Sequence, residues 1–124
     1  MDDLPRVLIV DDVDLVRRAV SRALRGRCVV DEASDEPTAV ALLEQHAYDL
    51  VLLDMNLERS SGRDVYERVA RTHPEHLGDV VFVSGGFNTT EKAWLERRGL
   101  RWLIKPLTTE VVRGVLSDRA VAAR

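Results

Sequence analysis

Four short apolar runs in this 124-residue chain each end on a residue with reactive chemistry. Val7-Leu8-Ile9-Val10 is followed by Asp11-Asp12, Leu50-Val51-Leu52-Leu53 by Asp54, Val80-Val81-Phe82-Val83 by Ser84, and Trp102-Leu103-Ile104 by Lys105. Brought together, three carboxylates repel, which raises the pKa of at least one of them unless a cation intervenes. Lys105 brings one positive charge. A hard divalent ion with oxygen ligands, Mg²⁺ foremost, would bring the rest. Such a centre accepts an anion's oxygen on the open side of the ion. Phosphoryl is the natural anion, because its transfer is mostly positioning and charge neutralisation by metal, lysine and hydroxyl or amide donors. A carboxylate can also act as the nucleophile and become an aspartyl phosphate.

The elements that must position these groups follow from the pattern of the runs. Each run is too short for a helix and too continuous for a half-exposed strand, as strands buried on both faces of a parallel sheet read. Cys28-Val29-Val30 is a weaker fifth strand, with Cys28 as a small buried residue. Between the strands lie helical periods. Over 14–25, Leu15, Val16, Ala19, Val20, Ala23 and Leu24 share about half the helical wheel, and Gly26 supplies a stop. Further helices are predicted at 35–46, 62–72, 89–98 and 108–120. Five alternations of strand and helix imply an α/β sandwich with a mostly parallel sheet and right-handed crossovers. In such a sheet all strand carboxyl ends lie on one edge, so the acids, Ser84 and Lys105 converge there.

Composition narrows the class. With 45% apolar and 31% charged residues, no apolar run long enough for a bilayer and no cationic signal-peptide start, a soluble domain in the cytoplasm is expected. One cysteine excludes an internal disulfide and a multi-cysteine zinc site. The net charge of −3 argues against direct nucleic-acid binding, and no membrane partner is expected. No repeat or linker divides the chain, so residues 1–124 read as one domain with its core at about 5–120.

These motifs, in this order, closely resemble the receiver domains of two-component response regulators over nearly the whole chain. The resemblance rests on the Asp11-Asp12 pair, Asp54-Met55-Asn56, Gly62 eight residues beyond Asp54, Ser84-Gly85-Gly86 and Lys105-Pro106. It implies a flavodoxin-like fold with a five-stranded parallel sheet of order 2-1-3-4-5 and five helices. It also implies that Asp54 accepts a phosphoryl group from a histidine kinase or histidine phosphotransfer protein. Mg²⁺, or Mn²⁺, would be held by Asp12, Asp54 and the backbone carbonyl of Asn56, with Asp11 acting through water. Ser84 and Lys105 would each hold a phosphoryl oxygen, and the bond to Pro106 would be cis. Trp102 stands where the family usually has Tyr or Phe and would move inward on activation. It would rest meanwhile across the surface between the fourth and fifth helices. The downstream partner would use the face formed by the fourth helix, fifth strand and fifth helix. The implied role is that of a phosphorylation-switched signalling domain, not an enzyme beyond self-catalysed phosphorylation and dephosphorylation.

The chain departs from the family pattern at Glu58, where Pro is common, so a more mobile or differently shaped loop is expected there. Leu107 replaces the usual Phe. Ser84-Gly85-Gly86-Phe87 resembles receivers attached to hybrid histidine kinases. Two rival functions fit part of the pattern. A phosphorylation-independent receiver-like module usually lacks one of the acids, the acceptor or the lysine, and this chain has them all. An aspartate-nucleophile phosphohydrolase needs a second Asp two residues beyond the nucleophile, where Asn56 stands.

Taken singly, the same residues have plain structural readings. An Asp at a strand end commonly caps a helix, a Ser there makes a turn, and a Lys is simply exposed. The arginines of the first helix, Arg17, Arg18, Arg22 and Arg25, read as a solvated face. His73 and His76, without a third ligand, read as solvated loop residues. Trp94 belongs either to core or to an interface.

Overall fold

Strand and helix alternate five times along residues 4–122, the part of the chain that the computed structural model describes. The main strands are β1 (Arg6–Val10), β2 (Val29–Ala33), β3 (Leu50–Asp54), β4 (Asp79–Ser84) and β5 (Arg101–Ile104). They form one sheet of order β2-β1-β3-β4-β5, parallel at every junction. The helices are α1 (Asp14–Ala23), α2 (Glu36–Gln45), α3 (Gly62–Thr72), α4 (Thr89–Arg97) and α5 (Thr109–Ala122). No helix among the described residues is long and apolar enough to cross a membrane.

Side-chain alternation along the strands divides the core in two. Leu8, Val10, Val51, Leu53, Val80 and Phe82 pack beneath α2, α3 and α4 against Ala39, Leu43, Val65, Val69 and Leu95. Val7, Ile9, Leu50, Leu52 and Val81 pack on the other face against Val20 and Leu24 near α1 and Val112 and Val115 of α5. Because β1 and β3 are covered on both faces, both sets of their side chains must be apolar, which produces the unbroken runs.

The second strand reads weakly for the converse reason. As an edge strand it uses polar residues in side-chain pairs: Asp31 accepts from Arg6 Nε at 3.0 Å and from the Tyr48 hydroxyl at 2.6 Å. Glu32 accepts from Arg17 Nε at 3.3 Å and from the Ser21 hydroxyl at 2.9 Å. Tyr48 is accordingly held protonated, its pKa raised by burial and by Asp31. Cys28 is buried, one residue before the strand begins.

Helix starts are set by local caps. Asp35 accepts from Thr38 N, Ser61 from Asp64 N, and Asn88 and Glu91 form a reciprocal capping box. Trp94 is core. The residue is 1% exposed, its indole lies edge-on to Phe82 and Tyr66, and the guanidinium groups of Arg63 and Arg98 each lie within 5 Å of the ring centre. His73 and His76 differ from the solvated loop expected of them. Pro74–His76 is a turn of 3₁₀ helix, and His76 Nδ1 lies 2.7 Å from the Leu43 carbonyl oxygen, so both rings are half-buried.

Candidate functional site

The carboxyl edge of the sheet gathers the expected residues. β1 and β3 are adjacent, so Asp11 and Asp54 leave neighbouring strand ends, and Asp12 completes a group whose carboxylate oxygens lie within 4.8 Å of one another. Asp11 and Asp54 are 1% and 4% exposed, whereas Asp12 is the most open of the three. A groove of about 860 Å³ between α2 and the 57–60 loop opens beside Asp12, so the cluster is reachable from solvent on that side.

Each buried carboxylate has one oxygen fixed by backbone and the other by lysine. Asp11 Oδ1 accepts from Val13 N at 2.9 Å, and Asp54 Oδ1 accepts from Asn56 N at 3.1 Å. Lys105 Nζ bridges the remaining oxygens, 2.8 Å from Asp11 Oδ2 and 3.1 Å from Asp54 Oδ2. Burial pushes the Asp54 carboxyl above the ordinary carboxylate range and the Asp11 charge adds to this, against the pull of Asn56 N–H and Lys105. Burial works against the Lys105 charge too, but the two carboxylates outweigh it and hold the ammonium more firmly protonated than usual.

The backbone around these side chains is tightly registered. Met55 N donates to the Val83 carbonyl at 2.8 Å, Lys105 N to Ser84 O at 2.8 Å, and Gly62 N to Met55 O at 2.9 Å. Gly62 is required by a close approach: a Cβ there would stand 2.4 Å from the Asp54 carbonyl oxygen. The Lys105–Pro106 bond is cis. Around Glu58, where a more mobile or differently shaped loop is expected, Asn56–Leu57 and Ser60–Ser61 form a two-residue antiparallel ladder, and the Ser60 hydroxyl donates to Glu36.

Ser84 is 2% exposed at the end of β4. Its hydroxyl donates to Gly86 O at 2.7 Å and accepts from Gly86 N at 3.1 Å and Asn56 Nδ2 at 3.2 Å. Trp102 is half-buried on the α2/α3/α4 side of the sheet, its ring centre 6.1 Å from that of Phe87.

Two contributors are not visible in the sequence pattern. Arg17, read as part of a solvated face, is only 13% exposed and donates from its guanidinium to Asp11 O at 2.6 Å, tying α1 to the acid loop. The helical wheel places Arg17 on the polar side but cannot show that this side abuts the sheet edge. The Asn56 side chain is the other, since the family resemblance assigns a role only to its backbone carbonyl.

The doubly wound sheet, with this acid–lysine cluster at its carboxyl edge, places the chain in the flavodoxin-like class of α/β domains. Residues 7–116 match the response regulator receiver domain family, and the chain belongs to it. It is 31% identical over 109 residues to the sensory transduction protein LytR of Staphylococcus haemolyticus, covering 85% of this chain and 41% of that protein. It is 40% identical over 67 residues to the transcriptional regulatory protein PdtaR of Mycobacterium tuberculosis, covering 52% of this chain and 33% of that one. The chain thus spans well under half the length of these relatives. Its fold is that of the chemotaxis protein CheY4 of Vibrio cholerae, with a TM-score of 0.83 at 23% identity over 93% of this chain and 98% of that one.

Proposed function

We propose that Asp54 is the phosphoacceptor of this receiver domain and that its phosphorylation changes the surface offered to a downstream partner. The observation that carries the reading is the pairing of Asp54 Oδ2 with Lys105 beside two further acids. The three carboxylates and the Asn56 carbonyl are hard oxygen donors, the set that suits Mg²⁺ or Mn²⁺. Asp12, Asp54 and Asn56 O would hold the cation directly and Asp11 through water. The cation, when bound, neutralises charge on the phosphoryl oxygens and the acids.

In the transfer, an Asp54 oxygen forms a bond to phosphorus as the phosphorus–nitrogen bond of a phosphohistidine breaks, and the electron pair returns to the imidazole nitrogen. Lys105 then exchanges a carboxylate partner for a phosphoryl oxygen, and the Ser84 hydroxyl donates to another. A histidine kinase or histidine phosphotransfer protein is the fitting donor. Leu15, 74% exposed, adjoins a groove of about 410 Å³ with Val16, Ala19, Pro106 and Leu107 next to Lys105, an apolar rim that a donor helix can cover. The half-buried position of Trp102 against Phe87 supports its role in carrying the change towards α4, β5 and α5.

Borohydride reduction tests the site. After treatment with acetyl phosphate and Mg²⁺, it should convert the residue at position 54, and no other, to homoserine in a peptide map. Conversion at another Asp would reassign the acceptor.

A further inference from the structure

The hydrogen bonds of Ser84 leave its hydroxyl with nothing to offer a phosphoryl oxygen. A serine hydroxyl has one proton to donate and two lone pairs to accept with. Here the proton goes to Gly86 O, and the lone pairs take Gly86 N–H and Asn56 Nδ2–H. The residue is 2% exposed, so each partner it gives up costs it a hydrogen bond that bulk water is poorly placed to restore. The backbone is held on both sides, by Met55 N on the Val83 carbonyl and Lys105 N on Ser84 O, which confines any rearrangement to the side chain and the 85–86 loop.

Resting on the acceptor reading above, we infer that the side chain of Asn56 is a latch that holds Ser84 in its resting position and so sets how readily the domain switches. For Ser84 to donate to a phosphoryl oxygen on Asp54, its hydroxyl must give up Gly86 O and turn away from Asn56. Each bond that must break favours the resting state. Asn56 is placed for this by the same turn that places Asp54: its own N–H donates to Asp54 Oδ1, and it opens the short ladder with Ser61. One residue therefore touches the acceptor through its backbone and the switch through its side chain. Its backbone carbonyl, the proposed cation ligand, is a different group from the side-chain amide that reaches Ser84. Asn56 is a positioning residue, acting through Ser84.

The test uses the whole domain with 5-fluorotryptophan at positions 94 and 102, Mg²⁺ and increasing beryllofluoride, followed by ¹⁹F NMR. Asn56→Ala should lower the beryllofluoride midpoint of the Trp102 signal by about 2- to 12-fold, the range expected for loss of one net hydrogen bond from the resting state. Mg²⁺ is kept saturating for each protein, so that a change in cation affinity does not enter the midpoint. In a Ser84→Ala background the Asn56→Ala effect should disappear, because the bond it removes is already absent. An unchanged or raised midpoint in Asn56→Ala, or an effect of equal size without Ser84, would overturn the latch while leaving the acceptor reading standing. A wild-type protein that shows no beryllofluoride response would overturn the acceptor reading, and the latch with it.

Discussion

Lys105 Nζ lies 2.8 Å from Asp11 Oδ2, closer than it lies to Asp54. The ammonium therefore does two things before any phosphoryl group arrives: it neutralises part of the repulsion between buried acids, and it keeps the free Asp54 oxygen oriented. Asp11 is held in turn by Val13 N, so the lysine is anchored to a fixed carboxylate and leans on Asp54 as its second contact.

Removing that charge should expose the repulsion. Lys105→Met is expected to destabilise the cation-free domain by about 1–3 kcal/mol, less than a fully buried pair because the lysine side chain is 24% exposed. Urea unfolding with and without Mg²⁺ checks this. The loss should be smaller when Mg²⁺ is present, since the ion relieves the same repulsion.

Mg²⁺ should raise the melting temperature of the wild type, by an amount equivalent to about 2.7 kcal/mol at a hundredfold excess over its Kd. Asp12→Ala should largely remove this response, because the most open acid of the cluster has then lost its carboxylate. Coincident wild-type melts with and without the ion would mean that the three acids do not form a cation site.

The raised pKa of Asp54 gives a pH dependence of defined sign. Burial makes the folded state hold this proton more tightly than the unfolded state, in which the carboxyl titrates near 3.8. The associated stability is complete below that value and is lost as pH rises through the raised folded-state value. Asp54→Asn lacks this loss. Without divalent cation, the variant should melt at higher temperature than the wild type at pH 7.5, and the gap should narrow as pH falls towards the unfolded-state value of 3.8. Calorimetry across that interval measures it.

The parts of the molecule governed by period and strand-end position were readable in the sequence. Val7–Val10 and Leu50–Leu53 are apolar on both faces because helices cover both faces of β1 and β3, and the residue after each run falls on the carboxyl edge. Relations that depend on which side chains meet across the fold were not readable. Trp94 lies on a helix of mixed pattern, and it is buried among Phe82 and Tyr66 with Arg63 of α3 and Arg98, just past the end of α4, over its ring. The side-chain bond from Asn56 to Ser84 spans 28 residues and arises from the parallel pairing of β3 with β4. The ladder after Asp54 depends on Ser60 and Ser61, residues with no apolar alternation to announce a strand.

Gly62 offers a steric test of the site's backbone. Gly62→Ala would bring a Cβ to 2.4 Å from the Asp54 carbonyl oxygen and 3.0 Å from Leu53 Cγ. The backbone must yield, at a cost of about 1–3 kcal/mol. Because the displaced group is the carbonyl of Asp54, the proposed acceptor, labelling by acetyl phosphate should slow as well. Denaturant titration and initial labelling rates report the two effects separately.

The most direct measurement is intact-mass spectrometry after incubation with acetyl phosphate and Mg²⁺, with wild type and Asp54→Asn compared side by side. Asparagine keeps the shape of the acceptor but lacks a nucleophilic carboxylate, so the variant's fold should be retained. The wild type should gain one phosphoryl group and Asp54→Asn none. Equal labelling of the two proteins would contradict the assignment of Asp54 as the phosphoacceptor.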